Sequence, residues 1–242
     1  MLKVSRILTA DTEYSQMTSP RQRPQEPLEA DEGGPGPLTA QQIESGGLED
    51  LLASHSFTNG LMAWAMQHYT DVSEGRGSSR EVFKLDEDHA LKIAKDKRGR
   101  AQNQVESHLA KHFHDLPITQ VHYVAPSGVY LVVDYAHALN LDDFRAKFGV
   151  TFYKFMEMCK ILTPGYLGNQ HPLVQKQYQK QYQKEKWKTL PEACKKLFLS
   201  LIRHNILLED VGAAYQWGEV KDNPVLVDYG YNKQVKQEYY TY

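Results

Sequence analysis

Cysteine is scarce in this chain, with Cys159 and Cys194 the only two in 242 residues. Their separation fits neither the short ligand spacing of a structural zinc site nor a disulfide framework, so a reduced, intracellular setting is expected. Long apolar runs are missing as well. No stretch of about 18–20 apolar residues exists to span a bilayer, and Met1–Ala10 lacks the apolar core of a secretory signal. The expectation is a protein that works in the cytoplasm, away from membranes. Excess charge of one sign is also absent. A net charge of −2 and a pI of about 6.6 create no global field for nucleic acid or an anionic surface, although Lys92–Arg100 forms a local basic patch. What is present is an ordinary globular composition, 41% hydrophobic and 24% charged, long enough to bury a substantial core.

Composition changes near residue 38. Thr18–Pro37 is rich in Pro, Gly, Gln and Glu and almost free of large apolar side chains. Such a segment cannot bury enough surface to offset the entropy of ordering, so residues 1–38 read as disordered or loosely draped. Thr39 suits an N-cap for a helix reaching Leu52, and Ser56–Gln67 reads as a second helix. Residues 39–68 thus form a helical preface. Strands are then expected at Tyr69–Val72, Glu81–Leu85 and Ala90–Ala94, followed by a helix over Arg100–Phe113 with Val105 and Leu109 on one face. Val121–Val124 and Val129–Val133 flank Pro126-Ser127-Gly128, which suits a hairpin. Past Asp134 the pattern is mainly helical, with candidates at Leu141–Phe148, Phe152–Leu162, Val174–Trp187 and Glu192–Ile202. The third carries a Tyr178/Tyr182 stripe and reads as a solvated helix with one packed edge. Two short strands around Lys221–Pro224 close the expected element list.

Several residues are placed for chemistry. Lys92 sits inside the apolar strand Ala90–Ala94, where a lysine must face solvent or be paired. Glu106 on the following helix offers the opposite charge, and such a pair would aim the ammonium at the phosphates of a nucleotide. The turn holding Gly75, Gly77, Ser78 and Ser79 lets backbone N–H groups approach a phosphate, but by itself it reads rather as a plain flexible hairpin turn. It is neither a Walker A sequence nor a full GxGxxG. Asp228 ends the apolar strand Pro224–Val227, just before Tyr229-Gly230. A carboxylate there is poorly solvated unless it meets a metal or another cation. Asp210 either converges with Asp228 across a short hairpin, one carboxylate taking a hydroxyl proton and one holding Mg²⁺, or is a turn residue before Val211-Gly212.

The serial order of these parts is that of the protein-kinase fold. The chain resembles the small kinase-like proteins of tailed bacteriophages and their bacterial relatives from about Tyr69 to Tyr231. The resemblance is carried by Gly77-Ser-Ser-Arg-Glu-Val82, Leu91-Lys-Ile93, Gln102-Asn-Gln-Val-Glu106 and Val227-Asp-Tyr-Gly-Tyr231, each motif short and degenerate. It implies an α+β, reduced bilobal protein-kinase-like fold. A five-stranded antiparallel N-lobe sheet with one helix would occupy residues 69–136, and a truncated, mainly helical C-lobe residues 137–242. It further implies ATP and Mg²⁺ as cofactors. Lys92 becomes the phosphate-binding lysine and Glu106 its partner; Asp134-Tyr-Ala136 becomes the linker whose backbone faces an adenine. Asp210 becomes the catalytic base and Asp228 the metal-binding aspartate.

Two departures separate the chain from that family. The metal-binding asparagine expected five residues beyond the base is Tyr215, a poor Mg²⁺ ligand; a register longer by one residue brings Gln216 and its amide oxygen instead. Only 12 residues follow Gly230, so the segment that binds peptide substrates in eukaryotic kinases has no counterpart. Three readings follow. The first is an ATP/Mg-dependent phosphotransferase acting on a hydroxyl of a protein or small molecule. The second is a catalytically impaired pseudokinase that binds a nucleotide or a protein partner. The third is an unrelated α+β protein with no nucleotide affinity. None involves nucleic acid.

Overall fold

Alternation along two adjacent strands sets the architecture of the first half. In the computed structural model, which describes residues 36–48, 50, 60–73, 79–163, 180 and 183–240, β1 (Thr70–Asp71), β2 (Arg80–Lys84), β3 (His89–Ala94), β4 (Val121–Val124) and β5 (Tyr130–Asp134) form one sheet in the order β1-β2-β3-β5-β4. All four pairings are antiparallel, with Phe83 opposite Leu91 and Val82 opposite Lys92. Successive side chains on a strand point to opposite faces. Phe83, Leu91, Ile93, Tyr130 and Val132 therefore share one face. They are buried there together with Ile43, Leu48, Leu61 and Trp64.

The cover on that face comes from α1 (Ala40–Glu44) and α2 (Gly60–His68). Thr39 and Gln42 form a reciprocal capping box at the start of α1, which satisfies two backbone donors that a short helix otherwise leaves open. The opposite face of the sheet carries Ala90, Leu131 and Val133 with Val82 against them, and with them, by alternation, Arg80 and Lys92. Next to it in sequence runs α3 (Lys97–His112), whose N-cap Asp96 accepts from Gly99 N–H at 3.0 Å. Gly99 is required by close approach: a Cβ there would lie 2.2 Å from the Ser79 carbonyl oxygen.

The second half is mainly helical, with α4 (Leu141–Phe148), α5 (Phe152–Leu162), α6 (Glu192–Arg203), a single turn α7 (Leu208–Val211) and α8 (Lys233–Tyr239). Between them, β6 (His137–Ala138), β7 (Trp217–Val220) and β8 (Asn223–Leu226) make a small antiparallel sheet. Phe144, Phe155, Phe198 and Trp217 meet at the centre, Phe144 edge-on to Trp217 at 5.2 Å and Phe155 stacked on Phe198 at 5.0 Å. Asn140 and Thr151 cap α4 and α5, and Gly149 ends α4 in the left-handed conformation at φ 72°, which glycine adopts without steric cost. The isolated bridge Ile118–Leu226 and the bond from Thr119 N–H to the Leu226 carbonyl (3.1 Å) join the two halves.

This is an α+β architecture with the five-stranded antiparallel sheet and the mainly helical second half that the sequence leads one to expect. Gly36–Tyr242 forms one compact unit; the separate segment Met1–Pro35 lies outside the described residues. So do Gly75, Gly77 and Ser78 of the glycine-rich turn, and Tyr178 and Tyr182. Three details differ from the sequence expectation. The first strand shrinks to Thr70–Asp71. A separate helical turn, α7, carries Asp210 beyond the preceding helix, which stops at Arg203. A further helix, α8, follows the last strand. It is polar over Lys233–Tyr239 with only Val235 buried, so it has no apolar stripe by which to recognise it. Among the described residues no helix is long and apolar enough to cross a membrane.

Candidate active site

One carboxylate organises the polar face of the first sheet. Glu106 is fully buried on α3, and its two oxygens accept from two different elements. Lys92 Nζ on β3 donates to Oε2 at 2.7 Å and also to the Val227 carbonyl. Arg80 Nη2 on β2 pairs with Oε1 at 2.8 Å. The same Oε1 accepts the backbone N–H groups of Tyr229 and Gly230 at 3.3 and 3.2 Å. The Asp228-Tyr229-Gly230 turn is thus docked by its main chain onto the helix that carries Glu106. Gly230 makes that approach possible, since a Cβ would sit 2.6 Å from the Gln102 carbonyl oxygen.

Arg80 is the residue that the sequence reading passed over. Its side chain is 5% exposed and bridges Glu106 to Asp228 Oδ1, while Nη1 donates to Asn103 Oδ1 at 3.2 Å. Asn103 in turn donates to the Gly128 carbonyl at 2.9 Å. Burial works to lower the Arg80 pKa, but the charges of Asp228 and Glu106 outweigh it and hold the guanidinium protonated. For Lys92 burial dominates and lowers the pKa, with Glu106 opposing and Arg80 adding to the effect. At Asp228 burial favours the neutral acid, yet Arg80 and Lys92 override it and keep the carboxylate ionised. A signal was available in the pattern: Arg80 shares a strand face with Val82, opposite Lys92, where an unpartnered cation cannot be buried.

Asp210 and Gln216 form the adjoining part. Gln216 is 5% exposed and donates from Nε2 to Asp210 Oδ1 at 3.0 Å, whereas Tyr215 is 61% exposed. Of the two registers, the structure therefore brings Gln216 to the carboxylate and turns Tyr215 to solvent. Gln216 Oε1 is buried with no hydrogen-bond partner among the described residues. Burial, and next the charge of Asp228, push the Asp210 carboxyl up to about 7. Asp210 and Asp228 are thus electrostatically coupled.

The remaining candidates divide. Ser79 is buried, and its hydroxyl donates to Gln102 Oε1 at 2.7 Å, tying the end of the turn to α3. The Asp134 side chain accepts from Gln120 N–H at 2.8 Å and pairs with His122. Ala136 touches β7 so closely that a Cβ on Gly218 would lie 2.8 Å from the Ala136 Cβ and 3.1 Å from Val227. Gly218 thus lies between Ala136 and Val227, the residue before Asp228.

No protein-family model matches the chain, and no curated protein matches it. A solved structure, that of the streptomycin–ATP–APH(2″)-IIa ternary complex, is similar over 80% of this chain and 70% of the other, with 15% identity and a TM-score of 0.34. So distant a likeness does not extend to activity.

The donor set suits a hard divalent cation. Asp228, Asp210 and the unpaired Gln216 Oε1 are all oxygen donors, as Mg²⁺ prefers, and Lys92 adds a cation of the kind that holds phosphate. Arg80 on Asp228 competes with that use, because the guanidinium already neutralises one oxygen.

Proposed function

We propose that the chain is an ATP/Mg-dependent phosphotransferase acting on a hydroxyl of a protein or small molecule. The observation that carries this reading is the convergence of Lys92, Glu106 and Asp228 with Asp210 and the unpaired amide oxygen of Gln216. Lys92, anchored by Glu106, binds phosphate oxygens. Asp228 and Gln216 would hold Mg²⁺, which neutralises charge on the phosphates when bound. Asp210, with a pKa raised to about 7, is poised to exchange a proton near neutrality, the range in which a general base works best. Gln216 orients it. The Gly75–Ser79 turn and the Asp134–Ala136 backbone would cover the phosphates and face the base. In this reading residues 69–136 and 137–242 are the two lobes, 39–68 the helical preface and 1–38 a loosely draped segment. The phage-type likeness and a cytoplasmic, host-cell setting belong to the same proposal.

A second reading rests on one observation. Arg80 occupies Asp228 Oδ1, and a metal-binding aspartate already neutralised suits a pseudokinase that binds a nucleotide or partner without turnover. A thermal-shift titration with ATP and Mg²⁺ on wild type and Asp228→Asn tests both. A metal-dependent rise in midpoint that vanishes in the variant is expected; no shift in either protein would sink the phosphotransferase and the nucleotide-binding form of the second reading. Transfer of γ-phosphate by wild type and not by Asp210→Ala then separates enzyme from binder.

A further inference from the structure

The face of the sheet turned away from Lys92 carries its own constellation of ligand-type residues. Glu44 at the end of α1, His89 at the start of β3 and His122 on β4 each offer one ligand atom, and the three atoms lie within 4.8 Å of one another. His89 shares its strand face with Leu91 and Ile93, which α1 covers through Ile43. The ladder between β4 and β5 breaks its register between Val121 and Tyr123, making His122 the irregular residue. Such a bulge re-aims a side chain out of the regular alternation.

Both imidazoles are already held the way metal-binding histidines are held. His89 Nδ1 lies 2.8 Å from Asp86 Oδ1 and 3.0 Å from Oδ2, and His122 Nε2 lies 2.8 Å from Asp134 Oδ1. A neutral histidine that donates one ring N–H to a carboxylate keeps a lone pair on the other nitrogen, and the carboxylate raises its basicity and sets its orientation. Asp86 is further fixed by the N–H groups of Asp88 and His89, each at 2.8 Å. Asp134 accepts Gln120 N–H at 2.8 Å. The rings meet edge to face at 4.9 Å between centroids. The Glu44 side chain has no hydrogen bond or ion pair to another described side chain, although it sits beside the two rings.

We propose that Glu44, His89 and His122 bind a divalent transition-metal ion, zinc above all, through His89 Nε2, His122 Nδ1 and the Glu44 carboxylate. Two imidazoles and one carboxylate suit zinc and disfavour Mg²⁺ or Ca²⁺, which take oxygen donors. Three protein ligands leave a fourth position for water. The ion would link α1 to strands β3 and β4, and through Asp134 it would touch the segment that leads into the linker. This site is independent of the phosphotransfer reading, because it lies on the other face and shares none of the residues assigned there except Asp134, whose backbone alone was assigned.

The test is titration of the whole chain with Zn²⁺ by calorimetry, and with Co²⁺ followed by its visible absorption, which is intense only in a tetrahedral site. One equivalent bound per chain is expected, with a rise in thermal midpoint. His89→Ala and His122→Ala should each abolish the cobalt spectrum, and Asp86→Asn should weaken binding by about 10- to 100-fold. Circular dichroism in the absence of metal shows whether each variant is folded. The control is His108→Ala/His112→Ala, a pair of neighbouring rings on α3, which should leave binding unchanged. Binding that survives in folded His89→Ala/His122→Ala, binding lost only in the α3 pair, or no binding by the folded wild type would each overturn the proposal.

Discussion

The two faces of the five-stranded sheet come from the same strands and solve opposite problems. On one face Phe83, Leu91, Ile93, Tyr130 and Val132 pack under α1 and α2, and their stability needs only apolar area and shape. On the other, Arg80, Lys92 and Glu106 are equally buried, and each survives there only because another charge answers it. The apolar face can tolerate an imperfect neighbour. The charged face cannot lose a member without stranding the others, so its geometry is held more tightly than packing alone would require.

Breaking the charged face should have the largest effect. Glu106→Ala leaves Lys92 without a carboxylate, Arg80 with Asp228 as its one remaining ion pair among the described residues and two backbone N–H groups without their acceptor, and is expected to cost about 3–5 kcal/mol in denaturant unfolding. Adding Lys92→Met to that variant should restore part of the loss, because Lys92 is the cation left without a carboxylate partner while Arg80 keeps Asp228. If Glu106→Ala unfolds no more easily than a surface substitution, the contrast between the faces disappears. Leu91→Ala on the apolar face should cost about 2–4 kcal/mol by the same measurement, with no rescue by any charge substitution. Thr39→Ala removes the α1 capping box and should cost about 1 kcal/mol; an unchanged midpoint would mean that α1 contributes little to covering the apolar face.

A further effect is one of pH. The Asp210 pKa is raised from 3.8 to about 7 in the folded chain, so the folded state holds this proton more tightly than the unfolded state does. Its stabilisation is complete below about pH 4 and is lost as pH rises through about 7. Wild type should therefore lose stability relative to Asp210→Asn over that interval. Asp228→Asn should move the loss to lower pH, because it removes a negative charge that holds the Asp210 proton. Parallel stability profiles for wild type and Asp210→Asn would show that Asp210 titrates normally.

Much of the scaffold was legible before any coordinates. Val121–Val124, Leu141–Phe148 and Phe152–Leu162 run between the residues expected from periodicity and turn signals. The burial of Lys92 announced the need for a partner, and Glu106 was the carboxylate within reach. Arg80 was not read in this way because its second partner, Asp228, lies 148 residues away, and no local pattern encodes so distant a pairing. The same holds for His89 and His122, which become neighbours only when β5 enters the sheet between β3 and β4.

What the sequence determined by itself was local: where alternation makes strands, where caps and glycines end helices, and which charges stand in apolar company and must find partners. Those follow from side-chain period and from the cost of burying an unpaired charge, both properties of a few neighbouring residues. Only the tertiary structure decided which partners were found. It gave Asp228 to Arg80, turned Gln216 rather than Tyr215 toward Asp210, and set Glu44 beside two histidines already anchored by aspartates. Each of those choices depends on the register between strands and the docking of helices on them, which fix distances between residues far apart in the chain.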